Sequence, residues 1–123
     1  YFIEPTNASG FLLGSIFDTW VDQSTGACYD TFSIVTTPAN PLMEMIHNSK
    51  KRMPLMLDFE AADKWINPLS TTEEIKSIIL PYDERNMKAH TISKVAGNSK
   101  TDRNYPEILQ PVNYPELSQQ SLF

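Results

Sequence analysis

The chain is short of the residues on which several kinds of chemistry depend. It has one cysteine, two histidines and four glycines among 123 residues. A lone Cys28 closes no internal disulfide and fits a reducing compartment, where Asn7-Ala8-Ser9 is an ordinary turn and not a glycan site. Cys28 has no basic neighbour in sequence to hold it as a thiolate, so it is not expected to act as a nucleophile. His47 and His90 lie 43 positions apart with a single cysteine to help them, so neither a metal nor a cofactor is expected. The glycines form no phosphate-binding loop and no nucleophile elbow. A run of about 18 apolar residues, which a membrane-spanning helix needs, is absent, and no charged-then-apolar leader precedes a small-residue cleavage site. A soluble cytoplasmic protein with no membrane partner is expected.

Positive charge is missing from the first third of the chain. Residues 1–46 hold five acids and no lysine or arginine. The net charge of −5 argues against nucleic acid as a partner, but its distribution argues the other way. Residues 47–57 carry three bases and no acid, 58–84 carry seven acids and two bases, and 85–103 carry five bases and one acid. Two basic islands in an acidic chain suffice for a few phosphate contacts if the fold brings them together. Solvated loops are the plainer reading of the same islands.

What is present suits one modest domain, with 41% hydrophobic residues. Residues 1–4 read as a strand, the turn formers at 6–10 as a hairpin loop, and 11–17 as a second strand, apolar on both faces and hence placed mid-sheet. Gly14 within it signals a bulge or a close backbone approach. Residues 28–37, rich in β-branched and aromatic side chains, give the strongest strand signal. Asn40 before Pro41 is a helix cap with proline at the first helical position, and that short helix ends near His47. Residues 52–57 resume as a strand, with Pro54 at its start or at a sheet edge. Asp58 caps a helix that Asn67-Pro68 terminates, and Ser70/Glu73 or Thr71/Glu74 forms a capping box before a second helix bearing Ile75, Ile78 and Ile79. Residues 87–93 alternate as a strand. From 95 onward the chain reads as an ordered loop or a tail draped on the surface.

His47 is the leading candidate for chemistry, because histidine alone titrates near neutral pH when unperturbed and this one sits between a helix end and a basic turn. A surface or capping histidine is the plainer reading. His90, inside an alternating strand, reads as structural.

The central stretch carries a resemblance. Thr36-Thr37-Pro38-Ala39-Asn40, then Ile46-His47, then Arg52-Met53-Pro54 resembles the SRAP family, the SOS response-associated peptidases. Gly14-Ser15-Ile16-Phe17-Asp18-Thr19-Trp20 is similar to a strand of that family, and Trp65 falls where its post-strand helix carries a tryptophan. The resemblance spans residues 1–113, with 114–123 as a tail. It implies an α+β fold, mainly β, in which a mixed, barrel-like sheet is covered by short helices. It also implies binding to single-stranded DNA at abasic sites; a monomer is expected. The family's N-terminal cysteine joins covalently to the opened sugar as a thiazolidine, and the same centre cleaves its own chain.

Residue by residue, the resemblance makes His47 the catalytic proton-transfer histidine, Thr36 a lining residue of the abasic-site pocket and Arg52 a phosphate-holding arginine. Lys50 and Lys51 add charge from an insertion between His47 and Arg52. The family's N-terminal cysteine, its Asn-Ala-Arg motif and its Gly-Phe-Tyr-Glu-Trp motif would all precede Tyr1, so the chain is expected to be the C-terminal portion of one SRAP domain. The alternative from another class is a non-catalytic module that binds nucleic acid or protein.

Overall fold

The computed structural model describes residues 1–46 and 49–118. Its strands are β1 (Phe2–Pro5), β2 (Leu12–Leu13), β3 (Ser15–Val21), β4 (Cys28–Ile34), β5 (Thr36–Pro38), β6 (Arg52–Pro54), β7 (Met56–Leu57) and β8 (Met87–His90). Its helices are α1 (Pro41–Ile46), α2 (Phe59–Ile66), α3 (Thr72–Ile78) and α4 (Pro115–Ser118). The strands form four antiparallel ladders, β1 with β8, β2 with β7, β3 with β4 and β5 with β6. The class is α+β, as expected, and among the described residues the ladders close into no barrel.

Three of these ladders meet at one node. The Gly14 N–H donates to the Leu55 carbonyl at 2.9 Å, the Val35 N–H to the Gly14 carbonyl at 2.9 Å, and the Leu55 N–H to the Val35 carbonyl at 2.8 Å. Gly14 separates β2 from β3, Val35 separates β4 from β5, and Leu55 separates β6 from β7. Three extended segments thus exchange partners around a single ring of backbone bonds. Leu55 is fully buried there. A Cβ on Gly14 would stand 2.6 Å from a Leu55 methyl, so the glycine marks a close approach, one of the two roles its sequence context offered.

The core beside the node is a cluster of Met43, Met53, Met56 and Met87, packed with Ile3, Phe11, Ala39, Leu42 and Tyr82. Unbranched thioethers fill the irregular space where short ladders converge. The helices follow their sequence signals closely. Asp58 caps α2 by accepting from the Ala61 N–H, and Asn67, ahead of Pro68, ends it. Thr71 and Glu74 form the capping box of α3. The Trp65 indole donates to the Ser15 carbonyl at 3.0 Å and ties α2 to the start of β3.

Several expectations are corrected. β1 pairs with β8, with Phe2 opposite His90 and Pro5 opposite Met87, and makes no hairpin with 11–17. The turn formers at 6–10 instead carry the chain from one ladder to the next, because β2 and β3 find partners in β7 and β4. The run 11–17 is not mid-sheet: β3 pairs with β4 alone among the described strands. Pro54 ends β6 rather than starting it, since the next N–H, that of Leu55, turns to Val35, and it lies at an edge of the two-stranded β5–β6 ladder, the other place expected for it.

The later chain is well anchored. Ile108 is buried, the Val112 N–H donates to the Thr91 carbonyl, and the Thr91 hydroxyl donates back to the Val112 carbonyl. His90 has its Nε2 2.8 Å from the Leu109 carbonyl, which requires the proton on that nitrogen, and its ring packs against Phe2. It is structural, as its strand setting indicated.

Candidate nucleic-acid interface

The ribbon of β5 and β6 pairs Thr36 with Pro54, Thr37 with Met53 and Pro38 with Arg52. Side chains alternate across a strand and directly opposed residues share a face. Thr37 and Met53 therefore point one way, into the core, where Met53 is only 1% exposed. Thr36, Pro38, Arg52 and Pro54 point the other way, and Thr36 and Arg52 are exposed. Two of the residues singled out in sequence, separated by 16 positions, thus share one outward surface of a ribbon whose inner surface is locked.

Arg52 follows a residue in an unusual backbone conformation. Lys51 holds φ at +48°, in the left-handed region, at a cost of about 1–2 kcal/mol for a residue with a Cβ. Its carbonyl accepts from the Ala39 N–H at 3.0 Å, which ties Lys51 to the end of β5. The Lys51 ammonium reaches Glu44 at 3.7 Å with both side chains exposed, a weak pair. Among the described residues Lys50 and Arg52 make no ion pair, so their charge faces solvent. His47 lies outside the described residues. The second basic island is mostly committed elsewhere: Arg85 to Asp83, Lys88 to Glu4 and Lys94 to Glu116. Asp83 accepts so strongly from Arg85 that its carboxyl is held at about 2, below its ordinary 3.8.

Asn40 links this surface to the core and does more than its position in the sequence indicated. Its side-chain oxygen accepts from the Met43 N–H at 2.9 Å, the expected cap of α1. Its amide also donates to the Tyr82 carbonyl at 2.7 Å, and the residue is buried. The signal was the residue type: of the common caps, aspartate offers no donor and asparagine offers two. Leu42 completes the attachment by donating its N–H to Glu84 at 3.1 Å. Among the described residues, no three His, Cys, Asp or Glu side chains come together as metal ligands, and no helix is long and apolar enough to cross a membrane.

Comparison with known proteins adds the family. The model for the SOS response associated peptidase (SRAP) family matches residues 1–99. This chain belongs to the SRAP family. The SRAP chain is 33% identical over 101 residues to the abasic site processing protein YoqW of Bacillus subtilis, covering 81% of this chain and 42% of that one. It is 31% identical over 102 residues to the chicken (Gallus gallus) abasic site processing protein HMCES, covering 81% of this chain and 28% of that one. A solved protein from Bacteroides thetaiotaomicron is 37% identical and superposes with a TM-score of 0.80, over 90% of this chain and 47% of its own. The SRAP chain therefore spans less than half the length of these relatives.

Proposed function

We propose that this SRAP chain forms the DNA-holding side of an abasic-site processing centre, with the outer surface of β5 and β6 as its contact face. The observation that carries the reading is the convergence of Thr36 and Arg52 on that face, beside Lys50, with the inner face fixed by Met53 and Thr37. The names of the relatives, abasic site processing proteins, supply the substrate class.

In this reading Arg52 holds a backbone phosphate of single-stranded DNA, for which a planar guanidinium has matching parallel donors. Thr36 lies against the sugar that has lost its base, and Lys50 and Lys51 add attraction that weakens with salt. His47 moves the proton needed to open the sugar ring to its aldehyde. The nucleophile is the N-terminal cysteine of the SRAP family, outside this chain. Cys28 is no substitute, since it lies at the outer end of β4 opposite Val21. The cysteine's amine adds to the aldehyde carbon, water leaves to give an imine, and the thiol sulfur adds to the imine carbon while its proton passes to nitrogen. One thiazolidine and one water result, with no change of oxidation state. Cleavage of the protein's own chain is assigned to the same centre. The working unit is a monomer on DNA in the cytoplasm.

The test is a denaturing gel. An SRAP protein containing this chain and bearing an N-terminal cysteine is incubated with a single-stranded oligonucleotide carrying one abasic site. A heat-stable adduct that forms with the wild type and slows with His47→Ala supports the reading. No adduct with the cysteine intact would sink the covalent step.

A further inference from the structure

Lys51 stands where the β5–β6 ladder would continue, and its backbone leaves the strand conformation there. Pro38 pairs with Arg52. Ala39 and Lys51 come next in the same register, joined by the bond from the Ala39 N–H to the Lys51 carbonyl. Alternation assigns this next pair to the inner face, with Thr37 and Met53. Ala39 obeys and packs against the methionine cluster. Lys51 does not: its side chain is 69% exposed and reaches Glu44. The φ of +48° is what takes it off the inner face. An extended backbone at this position would aim an ammonium at an apolar core, a heavier penalty than left-handed backbone.

We propose that Lys51 is a positioning residue: beyond the attraction its charge adds, its left-handed backbone holds Arg52 on the outer face of the ribbon. This deepens the DNA reading of that face and rests on it. Pro38, opposite Arg52, has no N–H with which to hold its partner. The next bond along, from Ala39 to the Lys51 carbonyl, therefore secures the Arg52 end of the ribbon. Lysine suits the task because its charge shuts out the inward, extended alternative, which an apolar residue would adopt with a gain in burial. A left-handed residue with a Cβ persists only where its surroundings over-determine it, and such residues gather at functional sites. Here the carbonyl is held by Ala39 on one side and the ammonium by Glu44 on the other, immediately before the arginine assigned to phosphate.

The experiment compares Lys51→Gly with Lys51→Val, which remove the same charge and the same contact with Glu44. Glycine adopts left-handed backbone freely; valine resists it and has an inward position to fill. A labelled single-stranded oligonucleotide with one abasic site is titrated with each variant of this chain, with and without Arg52→Ala, across a salt series. Lys51→Gly should weaken binding by no more than about threefold and Lys51→Val by at least about tenfold. The salt slope of the valine variant should be shallower than that of the glycine variant by about 0.7, because the Arg52 phosphate contact goes as well. Adding Arg52→Ala should weaken the glycine variant as it weakens the wild type and leave the valine variant unchanged. Lys51→Asn, which tolerates the left-handed region, should follow glycine, and Lys51→Thr, β-branched and polar, should follow valine, so the comparison holds even if valine alone unfolds the chain. Equal binding by the glycine and valine variants, or an Arg52→Ala effect that survives in the valine variant, would overturn the proposal and leave Lys51 as a charge alone. An Arg52→Ala change without effect in the wild type would instead remove the DNA reading, and the proposal with it.

Discussion

The two ribbons of this SRAP chain, β5 with β6 and β3 with β4, are built alike and finished differently. Both are antiparallel pairs that leave the same three-way node. The β5–β6 ribbon closes one face on the methionine cluster and carries Thr36, Arg52 and two prolines on the other. The β3–β4 ribbon carries aromatic and aliphatic side chains on both faces and leaves them exposed. A ribbon with one face packed in the core has a fixed backbone behind its outer side chains; a ribbon exposed on both faces has none. The contrast separates a ribbon backed by the core on one side from a hairpin exposed on both.

The contrast breaks most sharply through the buried side of β6. Met53→Ala removes a side chain that is 1% exposed and should cost about 2–5 kcal/mol, seen as a fall in the midpoint of urea unfolding. Phe17→Ala on β3, a larger truncation, should change the stability read from that midpoint by no more than about 0.5 kcal/mol in the free chain, because the ring is exposed. Equal effects at the two positions would mean that the hairpin is packed in solution. Asn40→Asp sharpens the account of α1. It keeps the acceptor for Met43 and loses the donor to Tyr82, so a loss of about 1–3 kcal/mol is expected, against about 1 kcal/mol for loss of a cap alone.

The smallest effect is at Asp83. Its carboxyl is depressed to about 2, first by the side-chain hydrogen bond from Arg85 and then by that residue's backbone N–H. A depressed folded value means that the pair stabilises the fold fully above the ordinary value of 3.8 and ceases to do so as pH falls through about 2. Carbon-13 titration of the Asp83 carboxyl should show the low midpoint, and Arg85→Ala should return it toward normal. Both groups are exposed, so thermal stability near neutral pH should barely change.

Local signals were legible where one residue type dictates one geometry. Asp58, Thr71 with Glu74, and Asn67-Pro68 set the helix ends because caps and prolines act on their own neighbours. The exchange of strand partners was not legible, because Val35 and Leu55 look like any member of an apolar run and their choice of partner depends on segments tens of residues away. Gly14 signalled a bulge or a close approach, but neither which of the two nor what approached. At the candidate site, Thr36 and Arg52 stood out through the family resemblance, and alternation then placed both outward once the register was known. The left-handed Lys51 carried no sequence signal, since glycine or asparagine is the usual occupant of that conformation.

The central claim, that the outer face of β5 and β6 holds abasic single-stranded DNA, is tested most directly by fluorescence anisotropy. A labelled oligonucleotide with one abasic site is titrated with this chain and with Arg52→Ala, across a salt series. The account predicts binding that weakens about tenfold in the variant, with a salt slope shallower by about 0.7 and an unchanged unfolding midpoint. An Arg52→Ala chain that binds as tightly as the wild type, with the same salt slope, would contradict it.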